Sequence, residues 1–222
     1  MRHGVLSILF GLALAASGAA QAGEAAEPAG GDGRVVALRE KLEAGLRATR
    51  TLQADFVQIR KFHALDGEWR SGGRMALEDG RMVWLIEKPL YCCFMMTCDK
   101  VKQWDEDTGK VLELSSKEQP WLRVLYEGLQ SWFRGDFAIL KRDFDLSAAD
   151  ERTLVLAPKP GTFYREGVKR VLLHFSADFC YAERIAVEEK SGDVITILLS
   201  RVRLNEPLAE TLWQIPPVLK KP

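Results

Sequence analysis

Residues 68–87 read EWRSGGRMALEDGRMVWLIE, and the period of this stretch decides the fold class. From Arg81 to Glu87, Met82, Trp84 and Ile86 alternate with Val83 and Leu85, the two-residue repeat of a strand. Glu68 to Leu77 forms the strand before it, and Glu78-Asp79-Gly80 between the two carries the Asp-Gly signal of a hairpin turn. The same grammar extends in both directions. Toward the C-terminus, Tyr91–Thr97, Val101–Trp104 and Val111–Leu114 continue an antiparallel meander, with Asp107-Thr108-Gly109 as a further turn. Toward the N-terminus, Leu52–Ile59 is the first strand. Before it the period changes: Val35, Leu38, Leu42 and Leu46 recur every three or four residues, which predicts an amphipathic helix that Gly45 weakens without ending.

The alternation breaks at Pro120. Trp121, Val124, Leu125, Leu129, Trp132 and Phe133 fall at helical spacing, so a second amphipathic helix is predicted over 119–134, with Pro120 as an early helical residue. Strands resume after Gly135 at about 144–147, 152–156, 168–176, 182–189 and 194–203, with Ser191-Gly192-Asp193 closing a hairpin between the last two. Leu212–Ile215 is expected to add a short edge piece before Pro216-Pro217. About ten strands with two or three helices predict a mainly β (α+β) fold. It is expected to be one large antiparallel sheet, curled into an incomplete barrel, with helices on its concave apolar face.

The first residues carry an address. Arg2 is a positive n-region, Val5–Ala16 is apolar and uncharged, and Ala20-Gln21-Ala22 is a small-x-small cleavage pattern, so 1–22 reads as a cleavable signal peptide. The apolar run falls short of the roughly 20 residues of a spanning helix. Residues 23–33, rich in Gly, Ala, Glu and Pro, read as a flexible leader, and 34–222 as a single domain. The chain holds 31 basic and 31 acidic residues; loss of Arg2 with the signal leaves 30 against 31. That balance argues against nucleic acid as a partner. In an oxidising compartment Cys92, Cys93, Cys98 and Cys180 are disulfide candidates, with one of the first three expected to bond Cys180 among three possible pairings. A zinc site is poorly served by the C-C-x4-C spacing, and no metal or cofactor is expected.

Catalytic patterns are lacking: there is no G-x-S-x-G elbow, Walker loop, G-x-G-x-x-G or H-E-x-x-H. His174 reads as a strand-face residue and His63 as a solvated one near a turn, so no enzyme is expected and no catalytic residue is assigned. Bulky apolar residues stand out instead, among them Phe56, Trp69, Met82, Trp84, Phe94, Met95, Met96, Trp121 and Trp132. Most build a core. Some suit the lining of a cavity for acyl chains, where flexible methionines accommodate a ligand of variable shape.

Several short motifs then fall in a telling order. Phe56-Val57-Gln58 follows the N-terminal helix, and Gly73-Arg74-Met75 leads through the turn to Gly80-Arg81-Met82-Val83-Trp84, with Pro89 just beyond. Later come Asp193-Val194-Ile195-Thr196-Ile197, Asn205-Glu206-Pro207-Leu208 and Trp213-Gln214-Ile215-Pro216-Pro217. With the signal peptide, this order resembles the LolA family of periplasmic outer-membrane lipoprotein carriers over nearly the whole mature chain. The resemblance implies a soluble, monomeric periplasmic protein that accepts an acylated lipoprotein from an inner-membrane ABC-type extractor. It would shield the acyl chains and pass them to an outer-membrane acceptor. Trp84 matches the family's cavity tryptophan and Met82 stands where an aromatic is usual; Phe56 and, from the second helix as lid, Trp121, Leu125 and Leu129 complete the implied lipid-binding cavity. One departure is plain. The family's turn carries Arg-Pro, whose arginine latches the lid; here Glu78 and Asp79 stand there, leaving Arg81 as the candidate latch. A divergent branch is therefore expected, with another lipid or glycolipid as alternative cargo, or an envelope-stress lipid sensor on the same fold as the other reading.

Overall fold

The computed structural model describes residues 32–217 except 65 and 120, so the expected signal (1–22) and the leader as far as residue 31 lie outside the described residues. Helix α1 (Asp32–Arg47) begins at the leader's expected end, since Asp32 and Gly33 carry no apolar side chain to mark the period. A first meander follows: β1 (Leu52–Phe62), β2 (Gly67–Glu78), β3 (Arg81–Lys88), β4 (Cys92–Thr97), β5 (Lys100–Asp105) and β6 (Val111–Ser115). Two helices intervene, α2 (Trp121–Arg134) and α3 (Phe137–Asp143). The second meander is β7 (Phe144–Ala148), β8 (Thr153–Pro158), β9 (Val168–Phe175), β10 (Ala182–Glu189) and β11 (Val194–Leu204). Short 3₁₀ turns cover Phe163–Glu166 and Glu210–Trp213.

All eleven strands form one antiparallel sheet in the order β6-β5-β4-β3-β2-β1-β11-β10-β9-β8-β7. The two meanders are thus joined through the first and last strands, and β6 and β7 are the two free edges. The chain leaves the sheet at one edge, runs through α2 and α3, and re-enters at the other. Ten interstrand steps at roughly 20° of twist each accumulate about 200°, so a sheet of this width must curl into an unclosed barrel. Gly73 eases the bend in β2: the β2–β3 register shifts between Gly72 and Gly73, and an added Cβ there would overlap the Leu85 carbonyl. Gly80 turns the hairpin at φ +83°.

Side chains sort by strand parity. Met75 and Leu77 of β2, Met82, Trp84 and Ile86 of β3, and Phe94 and Met96 of β4 face the concave side. There they meet Leu38, Leu42 and Leu46 of α1 and Leu122, Leu125, Leu129, Trp132 and Phe133 of α2. The opposite parity is also apolar: Ala76, Val83, Leu85 and Cys93 form a second cluster on the convex face. The C-terminal segment covers it, with Trp213 buried and Leu208, Leu212 and Ile215 packed alongside. The near-continuous apolar run of β3 is the signature of a strand covered on both faces. The segment expected as an edge strand at 212–215 is instead a 3₁₀ turn. Its neighbour in sequence, β11, is already paired with β1 and β10, so no free edge lies within reach. Gly135, at φ +65°, ends α2, and the Asp136 carboxylate caps α3 by accepting from the Ala138 and Ile139 amides at 3.1 and 3.2 Å. No described helix is long and apolar enough to cross a membrane.

Candidate functional site

The concave face carries the larger of the two apolar clusters among the described residues, and its floor is aromatic at the centre. Phe56 of β1 and Trp84 of β3 lie with ring centroids 4.8 Å apart at 53°, and the register places Met75 opposite Trp84 and Leu77 opposite Met82. Trp84 is in turn opposite Phe94 on β4. Of the six residues that the resemblance assigns to the cavity, Phe56, Met82, Trp84, Leu125 and Leu129 are buried in this one cluster. Trp121 packs only against its border. Lined this way, the face offers non-directional apolar contact and almost no fixed polar partner. The Nε1 groups of Trp84 and Trp132 are buried there without a hydrogen-bond partner among the described residues.

Helix α2 is the cover. Its apolar stripe follows from the 3.6-residue period read in the sequence, and what holds it down comes mainly from the second meander. The Tyr164 hydroxyl donates to the Val124 carbonyl at 2.8 Å. Gly128 makes the notch that admits it, since a Cβ there would overlap the hydroxyl. Burial pushes the Tyr164 hydroxyl well above the usual phenol range, so it remains a donor. Phe163 stacks on Trp121 with centroids 6.2 Å apart at 10°. At the other end of α2, Arg134 Nη1 reaches Asp79 of the β2–β3 turn at 3.3 Å. Sequence reasoning missed Phe163, Tyr164 and Gly128. The available signal was a pair of aromatics set between Pro160-Gly161 and Gly167, an unusual content for a loop.

Arg81, the expected latch, faces away from the lid. Met82 points to the concave side, so the residue before it points to the convex side. There the Arg81 guanidinium pairs with Glu78, bonds Glu210 at 2.9 Å and lies over the Trp213 ring at 4.2 Å. These contacts fasten the C-terminal segment, and the Glu210 and Glu78 carboxylates raise the pKa of the guanidinium further. The expected cross-link to Cys180 is not formed, and all four cysteines are free thiols. Adjacent Cys92 and Cys93 face opposite sides of the sheet, Cys92 in the concave cluster and Cys93 in the convex one. Burial pushes both thiols up to about 12. Cys98, in the β4–β5 turn, is exposed.

His174 lies on β9, as its strand context predicts. Its Nδ1 is 2.7 Å from the Thr153 hydroxyl, which itself donates to Asp150 at 2.8 Å. On its other side the His174 Nε2 lies 3.4 Å from the Glu183 carboxylate. The backbone amide of His63 donates to Asp193 at 3.0 Å.

No family model matches the chain. An outer-membrane lipoprotein carrier protein of Legionella pneumophila (strain Corby) is 26% identical over 183 residues, covering 80% of this chain and 85% of the relative. Among solved structures, an uncharacterized conserved protein from Thermus thermophilus superposes with a TM-score of 0.50 at 12% identity, covering 81% of this chain and 92% of that one. That likeness is one of fold. A LolA superfamily protein from Nitrosomonas europaea gives a TM-score of 0.46 at 13% identity, covering 82% and 98%.

Proposed function

We propose, from the premise that the chain is a divergent LolA-like protein, that it is a periplasmic carrier which hides the acyl chains of a lipoprotein beneath α2. The supporting observation is the concave apolar cluster, roofed by a helix that is fastened at its ends. In this closed form the floor and roof side chains pack on one another, so an acyl chain gains its place by displacing α2. About 15 methylenes at ~0.8 kcal/mol each bring ~12 kcal/mol of transfer free energy to set against the polar ties and apolar contacts that hold the roof. A site without fixed polar contacts on the tail also releases it without breaking any.

In this reading Phe56, Met82, Trp84, Leu125 and Leu129 contact the tail, and Trp121 lies at the rim. The donor is an inner-membrane ABC-type extractor and the recipient an outer-membrane acceptor. The absence of the usual arginine from the hairpin turn, where Glu78 and Asp79 stand, favours a cargo or handover that differs from the family's common one. The test is direct. Delipidated protein is mixed with a radiolabelled acylated lipoprotein and with a fluorescent acyl probe, then passed over a sizing column. Co-elution of ligand with protein supports the carrier, and retention of neither overturns it.

A further inference from the structure

Where α1, α2, α3 and the β2–β3 turn converge, the surface opens into a cleft of about 630 Å³. Its wall on α2 is the stripe Tyr126, Gln130 and Arg134, spaced one turn apart and therefore on one face of the helix. The upper end of the stripe belongs to the greasy interior, since Tyr126 is a member of the concave cluster. The lower end is polar. Gln130 is 9% exposed. Its Nε2, together with Nε and Nη2 of Arg134, is buried without a hydrogen-bond partner among the described residues. Donors left this way are uncommon in folded proteins and call for an acceptor.

The acceptors already in the cleft are engaged elsewhere. Glu43 pairs with Arg39 at 3.0 Å and Arg47 at 3.8 Å, and Glu127 with Arg123 at 3.1 Å and Arg142 at 3.2 Å. Asp136 caps α3, and Asp79 takes the remaining nitrogen of Arg134. The Ser131 hydroxyl donates to the Gly128 carbonyl at 2.7 Å. With the charge of Arg134 paired with Asp79, the three donor nitrogens suit a neutral oxygen better than an anion.

We propose that this cleft is a head-group subsite, in which Gln130 and Arg134 donate hydrogen bonds to the ester or amide carbonyl oxygens at the head of an acyl chain whose tail lies beneath α2. The inference rests on the carrier reading and adds to it the one polar contact that sets how deep the cargo sits and which end enters first. It also gives the cover a cue, because a head seated on α2 bonds the same helix that must move to admit the tail.

Three ligands separate the possibilities: diphenylhexatriene, which has no oxygen; an N-palmitoylated peptide, which has carbonyls; and hexadecyl phosphate, which has an anion and no carbonyl. Binding to the full mature chain is measured by fluorescence displacement for the native protein and for Gln130→Met, Gln130→Glu, Arg134→Met and Asp79→Asn. The Gln130 and Arg134 variants are expected to weaken the palmitoylated peptide roughly ten-fold while leaving the other two ligands unchanged. Asp79→Asn, which leaves the Arg134 charge unbalanced, is expected to strengthen hexadecyl phosphate relative to the peptide. Diphenylhexatriene binding doubles as the check that each variant retains its cavity. Equal effects on all three ligands, or none, overturn the subsite. A larger loss for hexadecyl phosphate overturns the choice of carbonyl over phosphate. If the native protein binds none of the three, the carrier reading itself fails.

Discussion

Tyr164 shows how one side chain can couple the two halves of the sheet. It stands on the second meander, is 2% exposed, and hydrogen-bonds the backbone of the helix covering the first. Tyr164→Phe keeps the ring against Phe144 and removes only the hydroxyl. The expected cost is about 1 kcal/mol, read as a lower urea midpoint at unchanged slope. Gly128→Ala should cost about 2 kcal/mol by forcing the hydroxyl out, despite the roughly 1 kcal/mol that alanine gains in a helix. The cost should shrink in the Tyr164→Phe background, a coupling that a double-mutant cycle measures. The cysteines make a second residue-scale expectation. At pH 8 a thiol-exchange reagent should modify exposed Cys98 readily and Cys180 more slowly, leaving Cys92 and Cys93 untouched until denaturant is added. The sign of their titration follows. Burial raises both thiols from an ordinary 9.0 to about 12, so the folded state resists ionisation that the unfolded chain undergoes. Between those two values rising pH draws the equilibrium toward the unfolded chain, and stability should fall across that window in base titration followed by circular dichroism.

At the scale of elements, β1 is paired along both edges, by β2 and β11, whereas α2 is held by side-chain contacts and a few polar ties. Amide hydrogen exchange should therefore proceed through α2 well before β1 and β11, and a bound acyl ligand should slow α2 selectively. The strands and both longer helices were legible because their periods are clean: Met82, Trp84 and Ile86 against Val83 and Leu85 for a strand, Leu125, Leu129 and Trp132 for a helix. The order of strands was not, since nothing local in Leu52–Phe62 announces that its partner is Val194–Leu204. The fastening of the cover was hidden for a related reason. It depends on a contact between Tyr164 and Val124, 40 residues apart in the chain, and not on Arg81, which lies on the opposite face. The convex cluster left a trace, in that β3 is apolar at both parities, but the identity of what covers it became visible only with Trp213 in place.

At the scale of the whole molecule, helices cover the concave face of the sheet and the C-terminal segment covers the convex face over β2 to β4. Stopping the chain after Asn205 removes Trp213, Leu212 and Leu208 from above Val83, Leu85 and Cys93. The expected outcome is self-association by light scattering, with Cys93 becoming reactive to thiol reagents. The milder Trp213→Ala should cost about 3 kcal/mol and leave the protein monodisperse. The pairing of β1 with β11 carries a further consequence, for the birth of the protein. Leu52 pairs with Leu204, a separation of 152 residues (204 minus 52), so the central seam closes only when the last strand arrives. The other nine strand pairings join neighbours in sequence, so this one seam carries the long loop closure and is the slow step to form. While the ribosome is still at work the half-made chain lacks the strand that would lock it. In the exported carrier proposed above, that would leave it pliable enough to be threaded end-first through a narrow channel before the compact form closes.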